Sequence, residues 1–498
     1  MDLNPSQRRA VEHKDSHLLI VAGPGTGKTQ TLIHRIAQYT QHLNQNQKIL
    51  AVTFTNKASW EMRERLGSLC PKEVSRVFVG TFHQFCLSLL QQYAQYACLP
   101  KDFRIAEPEE IEDLVKSLWP DQTRTQRQEI LEEIAALKAR IENSLEASRL
   151  TAYNQFLRKN NLLDFDDILL EAFMLLKNNP NILNETGLNY PFIFVDEYQD
   201  INEVQHALLK MLADEGVLLT AIGDPHQAIY GFRGANVRFF ANFIEDFKGA
   251  SSLTLEENYR STANLLKAST QMIRPFLDSK VPELIAKIHK EGHLMIHETP
   301  TDKAEAEYVV HQIEKLVGGT SMFSRDSGRA RQEDKGQYGF GDIAVLYRLN
   351  ALNRSLREAL ERSGIPYQVS GENSSPVADQ SYQFKIDKVS LLTLHASKGL
   401  EFSVVFIVGC EEKILPLDFA TMISDPQEER RLFYVGMTRA KERLHLVYAK
   451  KRFLFGRIFE NASSVFLKDI EENLKEYEQA TLKIKRRPEE TQLTLFDF

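Results

Sequence analysis

The chain has 498 residues, 43% of them apolar and 26% charged, with a formal net charge of −7. That length predicts about three domains, each large enough for its own core. The negative balance argues against a protein that coats nucleic acid through bulk basicity, and no apolar run is long enough to cross a membrane. The N-terminus, Met1 to Gln7, has neither a basic start nor an apolar stretch, so a cytoplasmic location is expected. Cys70, Cys86, Cys98 and Cys410 show no C-x-x-C spacing and read as reduced thiols, with no metal site among them.

From residue 1 to about 87, strands alternate with helical segments. Apolar runs at 18–22, 49–54 and 77–82 flank stretches such as 31–40 with helical spacing, which predicts an α/β unit with a parallel sheet. From about 88 to 190 the pattern is helical only. Ile130, Ile134, Leu137, Ile141 and Leu145 recur at three and four residues and predict one long amphipathic helix. Strands resume at 192–195 and 218–222, so the first unit is discontinuous, at 1–87 and 191–252, around a helical insertion at 88–190. A second alternation opens near Leu253 and runs to about 480, with strands at 343–346, 389–394, 404–408 and 444–447. Two surface-loop stretches interrupt it, 318–341 and 370–383, and a basic, proline-containing tail fills 481–498.

Two motifs carry chemistry. Residues 22–29, Ala-Gly-Pro-Gly-Thr-Gly-Lys-Thr, follow the first strand. Gly23, Gly25 and Gly27 let backbone N–H groups face phosphates, and a helix starting near Lys28 adds its positive end; Ala22, Pro24 and Thr26 complete the loop. Lys28 would reach the β- and γ-phosphates, and Thr29 would ligate magnesium. Downstream, the strand 192–195 runs into Asp196 and Glu197. Asp196 is placed to hold the same magnesium and Glu197 to polarise the attacking water. The pair describes a nucleotide triphosphatase that uses Mg2+, with Ala22 standing where the strict pattern has glycine; ATP as the nucleotide comes with the resemblance below.

The chain resembles the superfamily 1 DNA helicases of the UvrD/PcrA/Rep type, in family order from residue 3 to about 448. Residues 3–11 resemble the adenine-reading glutamine motif, with Gln7 as the reader. Residues 51–57 and 80–85 resemble the first strand-contacting motifs, Asp164 to Asp167 the acidic segment of the insertion, and 222–234 the coupling motif. Residues 258–260, 394–402 and 429–439 resemble motifs of the second motor domain. The resemblance implies two RecA-like P-loop NTPase domains, with an all-helical insertion in the first.

It also implies roles. Gln227 would sense the γ-phosphate, and Arg260 and Arg439 would reach across the cleft as arginine fingers; the plain alternatives are a polar loop residue and surface ion pairs. Tyr259 would stack on adenine, or serve as a core aromatic, and Glu401 would bond the ribose. Sequence-tolerant strand binding needs aromatic faces and phosphate partners. Phe54, Tyr230 and Phe232 fit the first need; Thr81, His83, Arg233, Thr393 and His395 fit the second. The implied activity is ATP-driven 3′-to-5′ movement on single-stranded DNA and at single/double-strand junctions, with helicase action in repair, replication or recombination. A protein-stripping translocase and an ATP-gated DNA-binding module are the alternatives.

Three positions depart from the family pattern. Phe232 stands where tryptophan is frequent, Gln30 where arginine is usual, and about twenty residues, with a remnant linker at 370–388, replace an accessory domain. Finally, Gln492, Leu493, Leu495 and Phe496 resemble the peptide by which bacterial repair proteins dock on the sliding clamp.

Overall fold

The computed structural model describes residues 3–14, 16–141, 148–276, 284–318, 337–369, 387–419 and 422–477. Helix α1 (Pro5–Glu12) leads into β1 (Leu18–Ala22), α2 (Lys28–Tyr39), β2 (Ile49–Thr53), α3 (Asn56–Leu69), β3 (Val77–Thr81) and α4 (Phe82–Gln92). Local chemistry sets these helix starts: the Thr55 and Thr81 side chains accept from the backbone N–H groups of Ala58 and Gln84. Strand β2 is buried along its whole length, as a parallel strand covered on both faces must be.

Helices follow at Pro108–Leu118, Arg124–Lys138, Ser148–Lys159, Phe165–Asn178 and Pro180–Asn189. Two features differ from the sequence reading. A two-residue parallel pair, β4 (Arg104–Ile105) with β5 (Leu162–Leu163), lies within the stretch expected to be helical only, because so short a pair carries no readable alternation. The helix expected through Ile141 and Leu145 stops at Lys138. There the Lys138 ammonium turns inward to Asp164 and Asp167, a tertiary pull that periodicity does not register. Leu145 lies outside the described residues.

The sheet resumes with β6 (Phe192–Val195), β7 (Leu218–Gly223) and β8 (Ser251–Leu255), giving the parallel order β3-β2-β6-β7-β1-β8. Leu253, near which the second alternation was expected to open, pairs with Ile20 as part of this first sheet. A half-exposed edge strand does not announce its partner in sequence. Apolar side chains fill both faces of the sheet: Leu19, Val52, Val195 and Ala221 on one, Leu18, Ile20, Ala51 and Phe194 on the other.

Next, β9 (Glu257–Thr262) pairs with β10 (Ile285–Ile288) as a separate ribbon. The second large sheet takes β11 (His293–Thr301), β12 (Ile343–Tyr347), β13 (Tyr367–Val369), β14 (Val389–Thr393) and β15 (Phe402–Val408). After a small hairpin of β16 (Asp418–Phe419) and β17 (Met422–Ile423), a helix spans Pro426–Met437. Strands β18 (Ala440–Leu454), β19 (Arg457–Glu460) and β20 (Glu476–Tyr477) complete the sheet, in the order β13-β14-β12-β15-β18-β11-β20 with β19 antiparallel on β18. The architecture is α/β, with two RecA-like domains and a helical insertion in the first.

Functional loops gather where parallel strands end, the usual crevice of such sheets. Residues 23–27, 196–200 and 224–227 leave β1, β6 and β7, and residues 394–401 leave β14. Most of the expected loops at 318–341 and 370–383, and the tail with Gln492, Leu493, Leu495 and Phe496, lie outside the described residues. Among the described residues, no helix is long and apolar enough to cross a membrane.

Candidate nucleotide cleft and strand-binding face

The loop after β1 is shaped for an anion. Gly25 and Gly27 have φ of +69° and +81°, where a side chain would be strained, and there is no room for one. A Cβ on Gly25 would lie 2.5 Å from Cβ of Arg260, and one on Gly27 2.6 Å from Nε2 of Gln7. Gly27 caps α2 without any side-chain hydrogen bond, so the first N–H groups of a twelve-residue helix face the loop. Thr26 Oγ1 braces the turn by donating to the Gly23 carbonyl at 2.8 Å, and Lys28 Nζ donates to the Ala22 carbonyl at 3.4 Å. Ala22 is the fully buried last residue of β1, so its methyl group packs in the core and leaves the cradle unchanged. Thr29 is the second residue of α2.

Gln7 is tied to this loop. Its Nε2 donates to the Thr26 carbonyl at 3.0 Å, and its Oε1 accepts from the Asn4 N–H in a capping box. Asn4 Nδ2 in turn reaches the Tyr259 hydroxyl at 3.0 Å. The Tyr259 ring is 45% exposed, which favours a stacking surface over a core aromatic. Strand β9 closes the loop from the other side: Tyr259 N–H donates to the Gly25 carbonyl, and Asn258 Nδ2 to that of Pro24. Arg260 Nε donates to Glu401 Oε2 at 2.7 Å, while Lys441 pairs with the other oxygen of Glu401.

The acidic pair sits at the end of β6. Burial and the neighbouring Glu197 push the Asp196 carboxyl up. Burial also opposes charge on Glu197, but Lys28, Lys398, the Gln199 amide and Arg439 override it and hold that carboxyl below the usual range. Glu197 adopts φ +52°, a left-handed conformation that costs a non-glycine residue about 1–3 kcal/mol and persists where surroundings enforce it. Gln199 supplies part of that constraint: its Nε2 bonds Glu197, and its Oε1 accepts from the Asp224 N–H. Thr29 and Asp196 offer a hydroxyl and a carboxylate. Such hard oxygens suit a magnesium ion that arrives with phosphates rather than one caged by protein alone.

Gln227 is buried between the two domains. Its Nε2 donates to Asp224 Oδ2 at 2.8 Å, and its Oε1 accepts from Arg439 Nη2 at 3.0 Å. Arg439 also bonds the carbonyls of Val435 and Leu400; burial, with Arg260 nearby, lowers it to about 9. The surface-ion-pair alternative does not describe a side chain that is 1% exposed.

A few residues beyond Gln227 the same loop turns aromatic. Tyr230 stacks on Phe54 with ring centroids 4.7 Å apart; Phe232 lies 6.1 Å from Tyr230 and meets His395 edge-on. The Arg233 guanidinium lies over both the Tyr230 and Phe232 rings. Phe232 is 66% exposed. Thr393 and Thr81 use their hydroxyls to cap the following turns. His83 stands apart from this row and stacks at 3.8 Å on Phe165 of the insertion. Burial pushes His83 down to about 4, and burial with Arg348 does the same to His395. Burial thus favours the neutral ring at both positions.

Residues 3–248 match the UvrD/REP helicase N-terminal domain, and residues 253–375 and 375–451 match the UvrD-like helicase C-terminal domain. The chain belongs to the UvrD/REP helicase family. Similar proteins include the ATP-dependent DNA helicase PcrA of Staphylococcus epidermidis, 28% identical over 95% of this chain and 87% of that one. PcrA of Staphylococcus aureus is 26% identical over the same shares. A solved structure, the C-terminal domain of a possible DNA helicase from Lactobacillus plantarum, is 18% identical and covers 44% of this chain and 99% of that one, with a TM-score of 0.28. The PcrA alignment runs over 649 positions but takes in only 95% of a 498-residue chain, so well over a hundred positions face gaps here. The UvrD-like C-terminal match breaks at residue 375, between β13 and β14.

Several residues at the site carried no assignment from sequence. Phe165 lies inside the acidic motif, but only the fold shows its ring exposed beside His83. Lys398 is buried against Asp200 and the Gln227 carbonyl. Arg431 bonds the Ala228 carbonyl, and Ile229 of the first domain packs into the core of the second. These contacts join residues about 170–200 positions apart, a distance no local pattern spans.

Proposed function

We propose that this chain is an ATP-dependent DNA helicase that moves 3′ to 5′ along single-stranded DNA. The supporting observation is the loop 224–234. Its first half bonds Arg439 and the Asp224–Gln199–Glu197 chain, and its second half stacks Tyr230 on Phe54. A change at the γ-phosphate is thus one loop away from the strand.

On this reading the loop 23–27 and Lys28 hold the triphosphate, and Thr29 and Asp196 would hold magnesium. Magnesium, when bound, neutralises phosphate charge. Glu197 polarises water oriented with Gln227, and its lowered pKa keeps it ionised for that role. Arg260 and Arg439 stabilise charge on the transferring phosphoryl group. Tyr259 stacks on adenine with Gln7 holding the loop behind it, and Glu401 meets the ribose. On the opposite face, Phe54, Tyr230, Phe232 and Phe165 take bases, and Thr81, His83, Arg233, Thr393 and His395 flank the backbone. Work at single/double-strand junctions in DNA repair, a cytoplasmic location and clamp docking through Gln492, Leu493, Leu495 and Phe496 complete the proposal.

A second reading is favoured by one observation. The PcrA alignment leaves well over a hundred positions facing gaps in this chain, and the family match breaks at residue 375, between β13 and β14. A motor so shortened is expected to translocate well, strip bound proteins and unwind long duplexes poorly. A strand-displacement assay run beside a translocation assay separates the two. Processive unwinding of several hundred base pairs by isolated protein would remove the second reading; absence of ATP-dependent movement would remove both.

A further inference from the structure

Helix α1 is eight residues long, too short to hold its shape alone in water. Its N-terminal end meets the nucleotide site twice: Gln7 Nε2 donates to the Thr26 carbonyl, and Asn4 Nδ2 reaches the Tyr259 hydroxyl. Its other end is held by Arg35 of α2, whose guanidinium is buried. Arg35 Nη1 donates to the carbonyls of Ala10, Val11 and His13 at 2.7, 3.2 and 2.6 Å. These belong to the last turn of α1 and the residue that ends it, where C=O groups have no partner within a helix. Arg35 Nε donates to Thr220 Oγ1 at 3.0 Å, on the interior strand β7, and Nη2 to the Tyr39 hydroxyl at 3.0 Å. That hydroxyl donates in turn to the His13 carbonyl at 2.9 Å.

A buried cation is tolerable only when its donors are met, because leaving water is costly for an isolated charge. Carbonyls and hydroxyls meet them here, and the negative end of the α1 dipole supplies opposite charge. The planar fork of a guanidinium spans these partners at once, which a single ammonium point cannot do. Helix α1 is therefore tied to the sheet at one end and to the nucleotide loop at the other. Without the tie to the sheet the helix is free to shift, and Gln7 and Asn4 shift with it. The phosphate cradle stands on other supports: Thr26 Oγ1 bonds the Gly23 carbonyl, and Leu32, Ile33 and Ile36 fix α2 in the core.

We propose that Arg35 is a positioning residue for base selection: by anchoring α1 it sets Gln7 and Asn4 against the loop and Tyr259, so that the site prefers adenine. This rests on the reading of Gln7 and Tyr259 as base contacts. The test uses the full chain and competition against a fluorescent nucleotide. Its probes are non-hydrolysable ATP and GTP analogues and inorganic tripolyphosphate. The parent should prefer the ATP analogue by about tenfold or more. Arg35→Met should weaken the ATP analogue by about tenfold and bring that preference to within about twofold of one. Tripolyphosphate affinity should stay within about twofold of the parent's, and turnover at saturating ATP and DNA within about threefold. Tyr39→Phe removes one hydroxyl and keeps the ring, so it should lower the preference about three- to fivefold. It decides the matter if Arg35→Met fails to fold. A parent-like preference in Arg35→Met, or in Tyr39→Phe where that variant decides, would overturn the proposal. So would an equal loss of tripolyphosphate and ATP-analogue affinity, which would make Arg35 a support of the phosphate loop. A parent that does not distinguish the two analogues would instead overturn the reading of Gln7 and Tyr259.

Discussion

In the nucleotide cleft the polar side chains are buried and bonded to one another: Gln227, Arg439, Gln199 and Asp224 are each at most 3% exposed and form one continuous chain. On the proposed strand face, Phe232 stands 66% exposed and meets its neighbours through ring contacts. The cleft works through atoms fixed in one arrangement, as charge stabilisation requires. On the proposed reading the strand face would work through stacking area, which accepts any base. Deleting one polar group in the cleft should therefore cost orders of magnitude in rate, whereas deleting one ring should cost a modest share of affinity.

The largest effect is expected at Arg439. Arg439→Ala should lower DNA-stimulated turnover by about 10³–10⁵-fold, the range for a guanidinium that stabilises a transferring phosphoryl group. Steady-state ATPase checks it, and a tenfold loss or less would make the cleft no more demanding than the strand face. Glu197→Gln should follow, with turnover down about 10²–10⁴-fold and nucleotide binding intact, since only water activation is removed. Lys28→Ala should weaken nucleotide binding itself, which titration with a fluorescent nucleotide would show.

Smaller losses are expected on the other face. Phe54→Ala, Tyr230→Ala and Phe232→Ala should each cost about 1–3 kcal/mol of strand affinity. If affinity survives while the melting temperature drops, the rings are packing groups and the contrast collapses. His83 and His395 should add no inflection to strand affinity between about pH 5.5 and 8, because both sit near 4, well below the histidine value of 6.5. The same depression gives a stability that is present above about 6.5 and is lost as pH falls toward 4. An affinity inflection near pH 6.5 that disappears in His395→Gln would show the ring charging on the strand. The smallest effect on the motor belongs to the tail: removing residues 491–498 should leave ATPase unchanged while clamp pull-down is lost.

The two regions also differ in how much of them is legible in sequence. The phosphate loop and the acidic strand are continuous runs whose geometry follows from local rules: glycine at positive φ, a helix N-terminus, a carboxylate at a strand end. The α/β alternation likewise survives in apolar spacing. What sequence does not show are meetings across the fold. Lys398 with Asp200, Ile229 in the second core and Phe165 beside His83 depend on how the domains and the insertion close on each other. Strand β8 is the same lesson at fold level, since its residues fit either sheet and only β1 decides.

The central claim is that hydrolysis in the cleft moves the strand face along DNA. The most direct test is DNA-stimulated ATPase against oligonucleotide length, at saturating DNA. A translocating motor spends longer on longer strands before falling off, so the rate should climb with length to a plateau. A rate independent of length once the binding site is filled would contradict translocation and leave an ATP-gated binder.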